Sequence, residues 1–99
     1  MSKVILLVNV DLESGKREDY LSATNQLRSH FQASNGVSYS VFENQGKDGD
    51  SFTEMFTFPD MSTYEEFDDQ NDEEANELFA KIIGLSKRSP KYTTLIEIQ

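Results

Sequence analysis

An α+β sandwich, four strands backed by helices on one face, is the fold class this sequence predicts. Three observations predict it. The chain opens on the apolar run Val4-Ile5-Leu6-Leu7-Val8 and closes on Tyr92-Thr93-Thr94-Leu95-Ile96-Glu97-Ile98, so both ends read as strands. Between them lie a helical stripe, two strands and a helical region in two pieces. Two βαβ-like halves in 99 residues make one domain over 1–99, a ferredoxin-like βαββαβ sandwich with a broken second helix.

Each element has its own signature. Val4 to Val10 is nearly continuous apolar sequence, which predicts a strand buried on both faces. Asp11 to Gly15 turns the chain. Lys16 to about Ala33 reads as a helix, because Tyr20, Thr24, Leu27 and Phe31 recur at helical spacing. Asn35-Gly36 is a helix stop, since both residues tolerate the left-handed conformation. Val37, Tyr39 and Val41 alternate with Ser38 and Ser40, a strand with one buried face.

Asn44 to Ser51 carries Gly46 and Gly49 among polar residues and forms a hairpin loop. The strand from Phe52 to Phe58 puts Phe52, Glu54, Phe56 and Phe58 on one side and Thr53, Met55 and Thr57 on the other. Pro59 ends it by removing a ladder donor. Ser62-Thr63-Tyr64-Glu65 has the form of a capping box, with Tyr64 and Phe67 as a short apolar edge. Asn71-Asp72-Glu73-Glu74 opens a second helical piece, with acids where the helix dipole favours them. Ala75, Leu78, Phe79, Ile82 and Ile83 form its stripe, Lys87 and Arg88 lie near its end, and Pro90 excludes further helix.

Composition narrows the function. There is no cysteine, which removes disulfides, thiolate metal sites and a cysteine nucleophile. No signal-peptide form is visible at the start, and no apolar run approaches the roughly 20 residues that span a bilayer. A cytoplasmic protein is the expectation. The formal charge is −9, and the segment Asp60 to Glu77 supplies all of it, with nine acids and no base. Such a surface repels phosphate, so neither nucleic acid nor membrane is expected as a partner. Its plainer reading is a solvated helical face, the other an acidic surface for a protein partner.

Few residues are candidates for chemistry. Glu54 shares a strand face with three phenylalanines, where a carboxylate must be paired, wet or shifted toward its neutral form. It reads either as an acid or base in an aromatic pocket, or as a partly exposed strand carboxylate, or as one bonded to a Tyr or Arg across the sheet or a dimer interface. Asn9 interrupts the apolar first strand, either as a polar strand end or as an amide that bonds a ligand. Glu97 raises the same question on the last strand. His30, the only histidine, lies beside the stripe of the first helix and reads as structural or surface. The cluster Asp68-Asp69-Gln70-Asn71-Asp72 offers oxygen ligands but lacks the glycine and spacing of a calcium loop, so no metal is expected. No phosphate-binding glycine loop or nucleophile motif is present.

The layout resembles the dimeric α/β-barrel superfamily, and within it the antibiotic biosynthesis monooxygenase-like proteins. The resemblance rests on the first strand, Gly15-Lys16 with Tyr20, Asn35-Gly36-Val37-Ser38-Tyr39, Phe52-Thr53-Glu54-Met55-Phe56, Pro59-Asp60 and Tyr64-Glu65-Glu66-Phe67. It covers almost the whole chain through motifs that are individually weak. It implies a homodimer whose two sheets face each other as a barrel, with ligands between each sheet and its helices. Family members include cofactor-independent quinol-type monooxygenases, haem-degrading enzymes, isomerases and proteins of no known activity. The haem-degrading branch uses an Asn on the first strand, which Asn9 resembles, together with a Trp and a second-helix His that this chain lacks. That argues against haem degradation. The His that many relatives carry after the third strand, about where Tyr64 to Asp68 lies, is also absent.

The sequence therefore points to a homodimeric protein, without cofactor or metal, that binds a small aromatic or apolar molecule. Tyr39, Phe56, Tyr64 and Phe67 line the expected pocket, and Asn9 and Glu54 are its polar groups. If it is an enzyme, cofactor-free oxygenation or isomerisation is expected, with Glu54 taking a proton and Asn9 orienting an oxygen. The alternative is a non-catalytic structural or regulatory dimer whose cavity is filled by its own side chains. Dimerisation follows from the fold as well, since helices on one side leave the other face of a sheet wet unless a partner covers it.

Overall fold

The strands pair into one antiparallel sheet whose order follows from the chain's apolar alternation. A computed structural model of the chain describes residues 2–32, 36–46, 48–69 and 72–98. The elements are β1 (Val4–Asp11), α1 (Arg17–Gln32), β2 (Ser38–Glu43), β3 (Ser51–Phe58), α2 (Met61–Asp69), α3 (Glu73–Leu85) and β4 (Lys91–Ile96). The sheet order is β2-β3-β1-β4. This is the ferredoxin-like order, with the second helical region in two pieces as its two cap signals imply.

Register decides which side chains face the helices. Val8 stands opposite Glu54 in β3 and opposite Tyr92 in β4, while Tyr39 and Val41 of β2 stand opposite Phe56 and Glu54. Directly paired residues project to the same side. One face therefore carries Val4, Leu6, Val8, Val10, Phe52, Glu54, Phe56, Phe58, Tyr39 and Val41. The alternation in β2 is thereby given its direction: Tyr39 and Val41 point to the helices. α1 lays Tyr20, Ala23, Thr24, Leu27 and Phe31 on that face, and α3 adds Ala75, Leu78 and Ile82.

The opposite face carries Ile5, Leu7, Asn9, Met55, Phe42 and Leu95, and none of the described residues covers it. Burial of β1 on both sides, expected from its composition, is thus met on one face only. Ile5 and Leu7 are half-buried and Asn9 is exposed. All of β4 is exposed as well, and it ends at Ile96 rather than Ile98.

Local chemistry fixes the ends. Asp60, not Ser62, caps α2: its Oδ1 accepts from the backbone N–H and the hydroxyl of Thr63, both at 2.8 Å. The capping box expected at Ser62 to Glu65 is displaced because a carboxylate directly after Pro59 reaches the free amides first, which places Ser62 inside the helix. Asp72 caps α3, accepting from the Ala75 amide at 3.1 Å. The expected stop at Asn35 and the break at Gln70-Asn71 lie outside the described residues, but Gly36 shows the left-handed φ of 85° that the stop requires. Lys87 and Arg88 fall just beyond α3. There the Lys87 amide donates to the Asp11 carbonyl at 2.9 Å and Arg88 Nε stands 3.6 Å from Asp11 Oδ2.

Candidate active site

A strand in the middle of a sheet holds its side chains in fixed directions, and β3 lies between β2 and β1. Glu54 projects from β3 into a space between the sheet and the helices α2 and α3. The cavity measures about 320 Å3. Leu6, Val8, Glu54 and Phe56 form its floor, Phe67, Phe79, Ile82 and Ile83 face them from the helices, and Tyr64, Pro90, Tyr92 and Thr94 complete the side near β4. Glu54 is the only carboxylate among these lining residues. Tyr64 Oη and Thr94 Oγ1, 3.4 Å apart, bridge α2 and β4 beside it.

The carboxylate is buried, with 2% of Glu54 exposed. Each of its oxygens accepts one phenolic hydrogen bond: Tyr20 Oη donates to Oε2 and Tyr39 Oη to Oε1, both at 2.8 Å. Tyr20 comes from the first turn of α1 and Tyr39 from β2, so three elements converge on one side chain. Burial raises the Glu54 carboxyl above its ordinary range, and the two hydroxyls pull it back by bonding to the ionised form. Both phenols are pushed up as well, first by burial and then by the adjacent carboxylate, so they stay protonated donors.

The aromatic ring set behind the site is continuous. Phe56 stacks near Tyr39 at 4.8 Å, Phe67 at 5.3 Å and Phe79 at 6.1 Å between centroids. Tyr20 packs at 4.6 Å on Phe52. These contacts lock the rotamers of the two tyrosines and hence the orientation of the carboxylate. The arrangement suits proton transfer: a buried carboxylate at the edge of an apolar space, its proton affinity raised by burial and its orientation fixed by two donors.

Of the residues expected at a site, Glu54, Phe56, Tyr64 and Phe67 meet at the cavity. Tyr39 serves it from behind, through Glu54. Asn9 is not brought together with them. It lies on the uncovered face of the sheet, where its Oδ1 accepts from Thr53 Oγ1 at 2.8 Å. The reading of Asn9 and Glu54 as partners in one pocket is corrected by the register, because Asn9 pairs with Thr53 and its neighbour Val8 with Glu54. In the sequence Tyr20 reads as the start of a helical stripe and as part of the family resemblance, not as a site residue. The signal that could have found it is its hydroxyl, which in a buried stripe needs a partner that Glu54 alone among the buried side chains supplies as a carboxylate.

Among the described residues no group of His, Cys, Asp and Glu is placed to hold a metal ion, and no helix is long and apolar enough to cross a membrane. The Asp68 to Asp72 cluster lies in part outside the described residues.

A four-stranded antiparallel sheet with helices on one face and a pocket between them defines the ferredoxin-like class found in antibiotic biosynthesis monooxygenase-like structures. SnoaB, a cofactor-independent oxygenase from Streptomyces nogalater, superposes with a TM-score of 0.80 at 12% identity, over 98% of this chain and 94% of that one. An antibiotic biosynthesis monooxygenase gives 0.74 at 18% identity, over 100% and 98%. Rv0793 from Mycobacterium tuberculosis gives 0.82 at 15%, over 98% and 96%. At these identities what is shared is the fold. No family model and no curated protein matches the chain.

Proposed function

We propose that the chain works as a homodimer that binds a small aromatic or apolar molecule in the cavity and oxygenates it without a cofactor, with Glu54 as the proton acceptor. The observation that carries this reading is the single carboxylate in an apolar cavity, gripped by two tyrosine hydroxyls. Glu54 takes the proton of a phenolic O–H, and the resulting phenolate passes one electron from its ring to dioxygen. The radical pair joins a ring C–H carbon to oxygen, and the peroxide so formed takes the proton back from Glu54. The hydroperoxide then loses water, its O–O bond breaking as that carbon gives up its hydrogen, so one oxygen atom stays as a new carbonyl and the other leaves as water. The likeness in fold to SnoaB supports oxygenation over other proton-transfer chemistry.

The homodimer is supported by the uncovered face, where Phe42 and Leu95 are each about half exposed beside Ile5 and Leu7. The space of about 320 Å3 favours a bound ligand over a cavity filled by the chain's own side chains. Oxygen uptake measured over a panel of hydroquinones and naphthols tests the proposal. Turnover in the native protein, lost by at least tenfold in Glu54→Gln with binding retained, is the expected result. Equal turnover by Glu54→Gln, or no binding of any panel member, overturns it.

A further inference from the structure

His30 stands at the C-terminal end of α1, outside the cavity, and both of its ring nitrogens face carboxylates of α3. Nε2 lies 2.6 Å from Asp72 Oδ2 and Nδ1 lies 2.9 Å from Glu74 Oε2. A carboxylate only accepts hydrogen bonds, and a neutral imidazole carries a proton on one nitrogen alone. Only the imidazolium satisfies both partners at once. The ring is largely sheltered, with a fifth of its side chain exposed, and it rests edge-on against Phe31 at 5.3 Å. Among the described residues, Asp72 and Glu74 are the charged groups that act on it.

Asp72 holds two posts with two oxygens. Oδ1 caps the Ala75 amide and Oδ2 meets His30. Deprotonation of His30 therefore leaves the helix start intact and removes one of the two hydrogen bonds, with the charge attraction, that tie α1 to α3. The next turns of α3 carry Phe79, Ile82 and Ile83 onto the cavity.

We infer that His30, Asp72 and Glu74 form a pH-sensitive pin that fastens the N-terminal turn of α3, and with it one wall of the cavity, to the end of α1. The pin is fully made in the imidazolium form and loosens to a single hydrogen bond when that form is lost. It stands whatever the cavity binds. Hydrogen bonding to Asp72 is the main cause that raises His30 above its ordinary 6.5, and the bonds to Ala75 and His30 hold Asp72 below its ordinary 3.8. The charged His30–Asp72 pair is therefore complete between about 3.8 and 6.5, weakens as pH rises through the raised value of His30, and is lost at the acid end as Asp72 protonates.

Because the chain has one histidine, its imidazole is the only one in an NMR titration. The expected result is a midpoint above 6.5, with both nitrogens protonated at pH 6, that moves down in Glu74→Gln and further in Asp72→Asn, which keeps the cap. Amide exchange is measured in parallel as protection factors, so that intrinsic pH effects cancel. Protection at Ala75, Asn76 and Phe79 falls about threefold or more from pH 6 to pH 9 in the native chain, and in His30→Gln it is low and flat. A midpoint at or below 6.5 overturns the pin, as does a His30→Gln variant whose protection follows pH like the native chain. A change confined to Ala75 and Asn76, with Phe79 unmoved, overturns its reach to the cavity wall.

Discussion

Tyr20→Phe removes one oxygen atom and no packing, and the structure sets what that atom is worth. The ring is fully buried and stacked on Phe52, so phenylalanine fits the same space. The hydroxyl donates to Glu54 Oε2 at 2.8 Å, and among the described residues no buried side-chain polar atom lacks a partner. Its loss leaves one oxygen of a buried carboxylate unsatisfied. A hydrogen bond to a charged group contributes about 1.5–3 kcal/mol, so the variant is expected to lose about 2 kcal/mol at pH 8. For a domain of this size that is a fall of roughly 10 °C in Tm.

The sign of the pH dependence is a sharper test. Burial raises Glu54 above its unfolded value of 4.5, so the folded state binds that proton more tightly than the unfolded chain does. The stability this contributes is full below 4.5 and is lost as pH rises through the raised folded value. Without Tyr20 the ionised form has one donor fewer, the folded value rises further, and the cost of the variant shrinks as pH falls. Urea denaturation at pH 5 and pH 8 with unchanged m-values measures both quantities. A cost below about 0.5 kcal/mol at pH 8, or a cost that grows on acidification, refutes the reasoning. Tyr64→Phe is the control, since its exposed 3.4 Å contact is expected to be worth almost nothing.

Phe56→Ala empties the centre of the aromatic set and is expected to cost about 3–5 kcal/mol by thermal or urea unfolding. Asp60→Ala removes the cap of α2 and is expected to cost about 1 kcal/mol, with Asp60→Asn nearly neutral by the same measurement. Asn9→Ala, on the uncovered face, is expected to leave ligand affinity in the cavity unchanged in a binding titration. Leu7→Asp places a charge in the middle of that face. Light scattering is expected to show the native chain as a dimer at micromolar concentration and this variant as a monomer.

The fold was legible because its signals are local and redundant. Strand alternation in Phe52 to Phe58 named the correct buried face, and the stripe of α3 named Ala75, Leu78 and Ile82 correctly. The cap of α2 was missed because Asp60 and Ser62 offer the same chemistry two residues apart, and only geometry decides which reaches the amide of Thr63. The site was legible in part. Glu54 was visible as a charge among phenylalanines, but its donors come from elements 34 and 15 residues away, and no spacing rule links them. Asn9 misled because a one-residue difference in register reverses the face of a strand side chain. His30 reads in the sequence as structural or surface, and its two carboxylate partners are not legible there because they depend on where α3 begins.

The cavity draws its carboxylate and its shape from different parts of the chain. Glu54 is anchored on an inner strand bonded on both sides, whereas Phe67, Phe79, Ile82 and Ile83 belong to two short helices. Substitutions on the helices can reshape the space without moving Glu54. A scaffold divided in this way lends itself to diversification of what it accepts, or to redesign by varying four helix positions, while the basic oxygen stays where the sheet holds it.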